Sequence, residues 1–230
     1  MKKIKEKIVN YWYYYKWHTL IVLFFAVVFT VLIVQMVSRP KYDIKILYAG
    51  PAIISDEQSK AICEAFSQLM PTDYDGNGEK NAELFSLIIM DDEQLKEANE
   101  TYSDYFLNRG TINDNRETLT MNTLAGDYII YLIDINCYAD LRDNSAFAKR
   151  EDYGFDAGTP YDEYAVYLNS LDFAEFYTAF DVFPDSTLVC IKRVQVNEDG
   201  DGKLVEAQQN HIDFLKSAAA FKAPAEQETE

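Results

Sequence analysis

The sequence predicts an α/β protein: one N-terminal transmembrane helix, followed by an extracytoplasmic, mostly parallel sheet with helices on both faces. Three observations lead there. Thr19 to Val37, TLIVLFFAVVFTVLIVQMV, has Gln35 as its only strongly polar residue. At a helical rise of about 1.5 Å per residue it reaches roughly 28 Å, close to the hydrocarbon thickness of a bilayer. Beyond it, short apolar runs alternate with segments of helical period, an order that requires crossover connections and favours parallel strands. The strongest run, DYIIYLID at 127–134, is rich in β-formers and lies between Gly126 and another helical segment.

The first element is the apolar helix. Lys2, Lys3, Lys5, Lys7 and Lys16 precede it against one Glu6, while Arg39 and Lys41 follow it. The cationic flank of a first helix stays in the cytoplasm. Residues 1–18 are therefore read as a cytoplasmic basic and aromatic segment, 19–38 as the span, 39–222 as the extracytoplasmic domain and 223–230 as a disordered tail. The expected location is the cell membrane, with the lipid bilayer as first partner through Thr19–Val37. Tyr11 to Tyr15 and Trp17 supply an aromatic belt at headgroup depth. A cleaved signal has a shorter apolar region ending in a small-x-small site, whereas this run is longer and closes with Gln-Met-Val-Ser-Arg-Pro.

The strands and helices then follow in order. Tyr42–Ala49 carries Ile44, Ile46 and Tyr48 at every second position, the period of a strand with one buried face. After Gly50-Pro51, Ser55 and Gln58 form a capping box for a helix presenting Ile62, Phe66, Leu69 and Met70 and stopping at Pro71. Leu84–Met90 is a near-continuous apolar run, as in a strand covered on both faces. Asp91, Asp92 and Glu93 open a helix whose positive end they suit. Residues 99–116 are polar and unassigned, with a helical piece over Asn113–Leu124. Asp127–Asp134 is the next strand and Ile135–Leu141 the next helix. Residues 142–163 read as a long loop. A short strand Tyr164–Leu168, a helix Ser170–Phe180 and a strand Thr187–Val196 follow. The turn-forming NEDGDGK at 197–203 suggests that Leu204 and Val205 return as a hairpin before a last helix, Ala207–Phe221.

Composition bounds the function. The net charge is −17, and residues 1–41 hold 7 Lys/Arg against 1 Glu, leaving 14 basic and 37 acidic residues, or −23, for the rest. Such a surface repels nucleic acid, which is excluded as a partner. Cys63, Cys137 and Cys190 are too far apart for a zinc knuckle and odd in number, and they read as small core residues. His18 and His211 are the only histidines, and His211 reads as a surface helical residue. No G-x-S-x-G, P-loop, G-x-G-x-x-G, H-E-x-x-H or C-x-x-C occurs. No catalytic residue emerges, and an enzyme is the weakest class.

One metal motif stands out. Asp73-Tyr74-Asp75-Gly76-Asn77-Gly78 matches the D-x-D-x-N-G opening of a calcium loop, with Asp73, Asp75 and Asn77 as ligands and Glu79 or Glu83 as a closing carboxylate. Leu84 at position 12 and Lys80 at position 8 depart from that pattern, and a polar helix-to-strand turn explains the same residues. Asn197, Asp199 and Asp201 before Gly202 repeat it, with Gln208 at position 12; there a hairpin turn is the better reading. Ca²⁺ is the only cofactor suggested. Among the 17 tyrosines, the clusters Tyr102/Tyr105/Phe106, Tyr153/Phe155 and Tyr161/Tyr164/Tyr167 fall around the irregular loops, where either core packing or a binding surface would use them.

Two resemblances add to this. The stretch Tyr14 to His18, Y-Y-K-W-H running into the apolar helix, resembles the N-terminus of single-pass, N-in membrane proteins of Gram-positive anaerobic bacteria. The order strand 42–49, helix, strand 84–90, helices and Gly126-Asp127 opening an apolar strand is similar to the first lobe of extracellular solute-binding proteins. In that family a ligand sits between two α/β lobes; the resemblance implies binding and carries over no residue role. With roughly 190 residues after the span, there is material for one domain. The expected function is a membrane-anchored extracytoplasmic binding domain with a cleft around Gly50–Ile54, Asp134–Tyr138 and Tyr161–Tyr164. The other expectation is an interaction or assembly component of a membrane complex that takes no small ligand.

Overall fold

The computed structural model describes residues 2–37, 41–101, 107–125, 128–142, 146–193 and 202–223. The chain divides into two compact units, Met1–Lys41 and Tyr42–Glu230. The first is one helix, α1 (Lys2–Val37), of 36 residues. It starts well before the apolar run, so the aromatic residues from Tyr11 onward lie on the same rod. Its stretch Tyr11–Val34 is long and apolar enough to cross a membrane by length and composition. Thr19 and Thr30 donate their hydroxyls to the carbonyls of Tyr15 (3.0 Å) and Ala26 (2.8 Å). These polar groups of the run are thus satisfied within the helix itself.

The second unit is an α/β sheet domain. In chain order it comprises β1 (Ile44–Gly50), α2 (Asp56–Leu69), β2 (Ala82–Ile88), α3 (Asp92–Thr101), α4 (Arg109–Ala125), β3 (Ile130–Asp134), α5 (Ile135–Arg142), β4 (Ala165–Tyr167), α6 (Asp172–Phe176), β5 (Thr187–Ile191) and α7 (Gly202–Ala219). The strand order is β2-β1-β3-β5-β4. β1 pairs in parallel with β2 (Ile44↔Ala82) and with β3 (Ile46↔Ile130). β5 is antiparallel to β3 (Asp134↔Thr187) and to β4 (Ala165↔Cys190), so it alone runs against the other four. Helical crossovers make the parallel pairs, because a tight turn cannot join parallel neighbours.

Both faces of the sheet are buried. Ile44, Ile46, Tyr48, Ile130, Leu132, Val189 and Ile191 face one core, shared with Ile62 and Phe66 of α2, Phe173 of α6 and Phe214 of α7. Leu47, Ala49, Tyr131, Ile133, Leu188 and Cys190 face the other, with Ala98 of α3, Ile112 and Leu119 of α4 and Tyr138 of α5. Side chains alternate between faces along a strand, and with both faces covered the strands read as continuous apolar runs. Phe66 ties the first core together, its ring centroid 4.9 Å from that of Phe180 and 5.9 Å from that of Phe214.

The helix starts follow capping chemistry. Ser55 and Gln58 exchange the two bonds of a capping box at α2. At α3, Asp91 Oδ1 accepts from the amides of Glu93 and Gln94, and Gln94 Oε1 accepts from the Asp91 amide. This is the same device with an aspartate in place of serine.

Several expectations need correction. Leu204 and Val205 do not return as a hairpin; they lie in α7, which begins at Gly202. Both edges of β5 are already taken by β3 and β4, leaving no edge for a returning strand. The helix expected over Ser170–Phe180 breaks at Tyr177 (φ −94°, ψ 106°) into α6 and a 3-10 turn, Thr178–Val182, which lets Phe173 and Phe180 both enter one core. α4 starts at Arg109, inside the stretch read as indistinct, where the Asn108 side chain accepts from the Thr111 amide (3.0 Å). The first β2 residue is Ala82 rather than Leu84. The 142–163 stretch contains a 3-10 turn, Arg150–Tyr153, and bridges at Phe147↔Lys192 and Pro160↔Val166. Tyr102, Tyr105, Phe106, Gly126, Asp127, the turn at 197–201 and the tail 224–230 lie outside the described residues.

Candidate functional site

The acidic loop follows α2 and leads into β2. Gly76 (φ 71°) and Gly78 (φ 94°) take the left-handed conformation that glycine permits, and this turns the loop back on itself. Asp73 Oδ1 accepts from the Gly76 amide (2.8 Å) and Oδ2 from the Gly78 amide (2.6 Å). These bonds hold the Asp73 carboxyl below its ordinary value. Asp75 accepts from the Asn77 amide (3.0 Å) and side chain (2.9 Å), and Asn77 Oδ1 accepts from the Glu79 amide (2.8 Å). Glu79 Oε2 accepts from Asn81 Nδ2 at 3.4 Å.

The carboxylates that converge are Asp73, Asp75 and Asp43, with one oxygen of each within 4.8 Å of the others. Asp43 is buried at the start of β1, and its carboxylate accepts from the amides of Tyr74 (2.7 Å), Asp75 (3.0 Å) and Asn81 (2.9 Å). No local spacing announces Asp43. It lies thirty residues from the loop, and the parallel register that sets Ile44 beside Ala82 carries it there.

A second polar group sits at the carboxyl edge of the sheet. α2, which follows β1, packs on one face, and α5, which follows β3, packs on the other. Neighbouring parallel strands whose connections part in this way make a topological switch point. Asp134 ends β3 there with 4% exposure. Its Oδ1 accepts from the Asn136 amide (2.9 Å) and its Oδ2 from Ser186 Oγ (2.7 Å). Thr187 lies opposite it in register, 0% exposed, and its Oγ1 has no partner among the described residues. Tyr48 folds over Gly50, its hydroxyl accepting from the Ala52 amide (2.9 Å). A Cβ on Gly50 would stand 2.6 Å from that hydroxyl oxygen and 3.1 Å from Asp134 Cβ. Burial, together with the nearby Asp134 carboxylate, holds the Tyr48 phenol protonated and pushes the Cys137 thiol up to about 12.

The third stretch expected in a cleft is a packed hub. Tyr138 Oη donates to both Asp162 oxygens (2.9 and 2.8 Å), the Tyr164 and Ala165 amides donate to Oδ1, and Arg142 stands 3.6 Å from Oδ2. Tyr161 packs edge-on against Tyr138 and Tyr167, while Tyr153 and Phe155 are core. Asp134–Tyr138 and Tyr161–Tyr164 thus meet through Tyr138 and Asp162. His211 is not a surface residue: it is 5% exposed, and its Nε2 accepts from the Lys45 amide (3.1 Å). All three cysteines are free, with Cys137 and Cys190 buried. No protein-family model, curated protein or solved structure matches the chain.

Proposed function

We propose that the protein is a single-pass membrane-anchored binding domain, its N-terminus cytoplasmic and its sheet domain extracytoplasmic, that takes a small ligand at the carboxyl edge between β1 and β3. The observation that carries this is the switch point itself, where ligands of open α/β sheets sit, furnished here with a buried carboxylate and three hydroxyls. The 24-residue apolar stretch of α1, the lysines before it and the acidic domain after it support the anchor and its direction. Binding rather than catalysis is favoured by chemistry. The Cys137 thiol, pushed up to about 12, is a poor nucleophile, and His211 Nε2 is occupied by a backbone amide. The test is a thermal-shift screen of the full chain in detergent against small metabolites, since a ligand bound by the native state raises its Tm. A saturable rise that Ser186→Ala weakens supports the reading. No rise with any compound, together with co-purification of another membrane protein, replaces it with the assembly role.

A second, compatible reading rests on the convergence of Asp43, Asp73 and Asp75: a Ca²⁺ held there would join the start of β1 to the loop before β2. Calcium takes six to eight oxygens, so water and loop oxygens would complete the shell. Ca²⁺ titration with Asp43→Asn as control checks it; an unchanged Tm in the native chain removes it.

A further inference from the structure

We infer that the ligand of the β1–β3 edge carries a primary ammonium group, seated against Asp134. This rests on the binding-domain reading above and names its ligand class.

Asp134 is a buried carboxylate whose two described partners, the Asn136 amide and the Ser186 hydroxyl, are both neutral, and no basic side chain pairs with it among the described residues. A buried carboxylate without a counter-charge is costly, and a cation relieves that cost. Beside it Thr187 Oγ1 is fully buried and unpartnered. By strand alternation it shares the Asp134 face, the face Tyr48 also occupies. The Tyr48 hydroxyl accepts from Ala52, so it adds an oxygen to the same wall.

Several ligand classes fit poorly. An anion meets Asp134 directly. A neutral polyol leaves its charge unanswered. A divalent metal needs more oxygens, in a rounder shell, than one carboxylate and a few hydroxyls provide. A primary ammonium has three donors and no acceptor, which matches Asp134, Thr187 and Ser186 as three acceptors. Tyr48 and Asp134 both close on Gly50, where an added Cβ would stand 2.6 Å from the Tyr48 hydroxyl oxygen and 3.1 Å from Asp134 Cβ, so the two side chains border the same spot. A –NH₃⁺ head can turn its three donors to these acceptors, whereas a quaternary ammonium has no donor and a guanidinium holds its donors in one plane.

The experiment uses the full chain in detergent and measures Tm with ethanolamine and putrescine, beside choline and 1,4-butanediol. The two primary amines raise Tm saturably, and choline and butanediol do not. Asp134→Asn weakens the amine response on the order of tenfold or more, as expected for a hydrogen bond to a charged group, and Thr187→Val weakens it several-fold. If Asp134→Asn fails to fold, Thr187→Val and Ser186→Ala, which keep the carboxylate, decide the question. An equal response to butanediol, or amine binding indifferent to these substitutions, overturns the inference. Should only uncharged metabolites from the wider screen bind, the ammonium falls and the cleft stands. Should no compound bind, both fall.

Discussion

His211 shows how much a single side chain fixes. It joins the last helix to the first strand by accepting from the Lys45 amide, in a place where bulk alone would not satisfy a backbone donor. Replacing it with leucine keeps the volume and removes the acceptor, so we expect a loss of about 1–3 kcal/mol, read as a lower denaturant midpoint at unchanged slope. The cysteines give a second residue-level expectation. Burial raises all three thiols above the ordinary 9.0, Cys137 to about 12. A thiol-specific reagent at pH 8 will therefore label only the half-buried Cys63 in the native chain, and all three after unfolding. Because these folded-state values lie above the unfolded one, the stability they contribute is intact below pH 9 and drains away as pH climbs beyond it. Melting temperatures across pH 8 to 11 check the sign. The sequence pointed to core positions for the cysteines but not to the environment of His211. An aliphatic neighbourhood identifies a core thiol, but the polar context of His211, Gln-Gln-Asn-His-Ile-Asp, describes only its flanks and hides the face that packs on β1.

The capped helix starts of α2 and α3 were the most legible elements. Ser55 and Gln58 act within three residues of each other, and their bonds form as the spacing requires. Ser55→Ala should cost about 1 kcal/mol, while Ser55→Asp should leave the domain near its native stability; urea unfolding distinguishes the two. Strand existence was equally legible and strand direction was not. Thr187–Ile191 is buried at every position, so nothing in TLVCI separates an antiparallel strand from the parallel ones beside it. The same limit applied at the sites. Asp73 and Asp75 lie close in sequence and could be read together. Asp43 joins them through strand register, and Asp134 meets Thr187 across an antiparallel pair, relations that exist only once the sheet is assembled.

For the molecule as a whole, the charge split is the strongest feature. The first 41 residues carry +6 and the remainder −23, with the apolar stretch of α1 between the lysines and the acidic domain. We expect the full chain to stay in the membrane pellet through an alkaline carbonate wash and to leave only with detergent; release by carbonate would remove the anchor. A chain truncated before Tyr42 should be freely soluble, given the acidity of what remains.

The reversed strand β5 has a consequence for how the protein is made. Its partners on either side, β3 and β4, are synthesised first, and β3 cannot cover its outer edge until residue 191 has emerged from the exit tunnel. Until then the nascent domain presents an unpaired, mostly apolar edge, Ile130 to Asp134, while more than fifty residues of connecting chain are still arriving. Such an edge invites pairing with neighbouring chains. Slow delivery of that connecting stretch, rather than weakness of the finished fold, is thus where biogenesis is most vulnerable to aggregation.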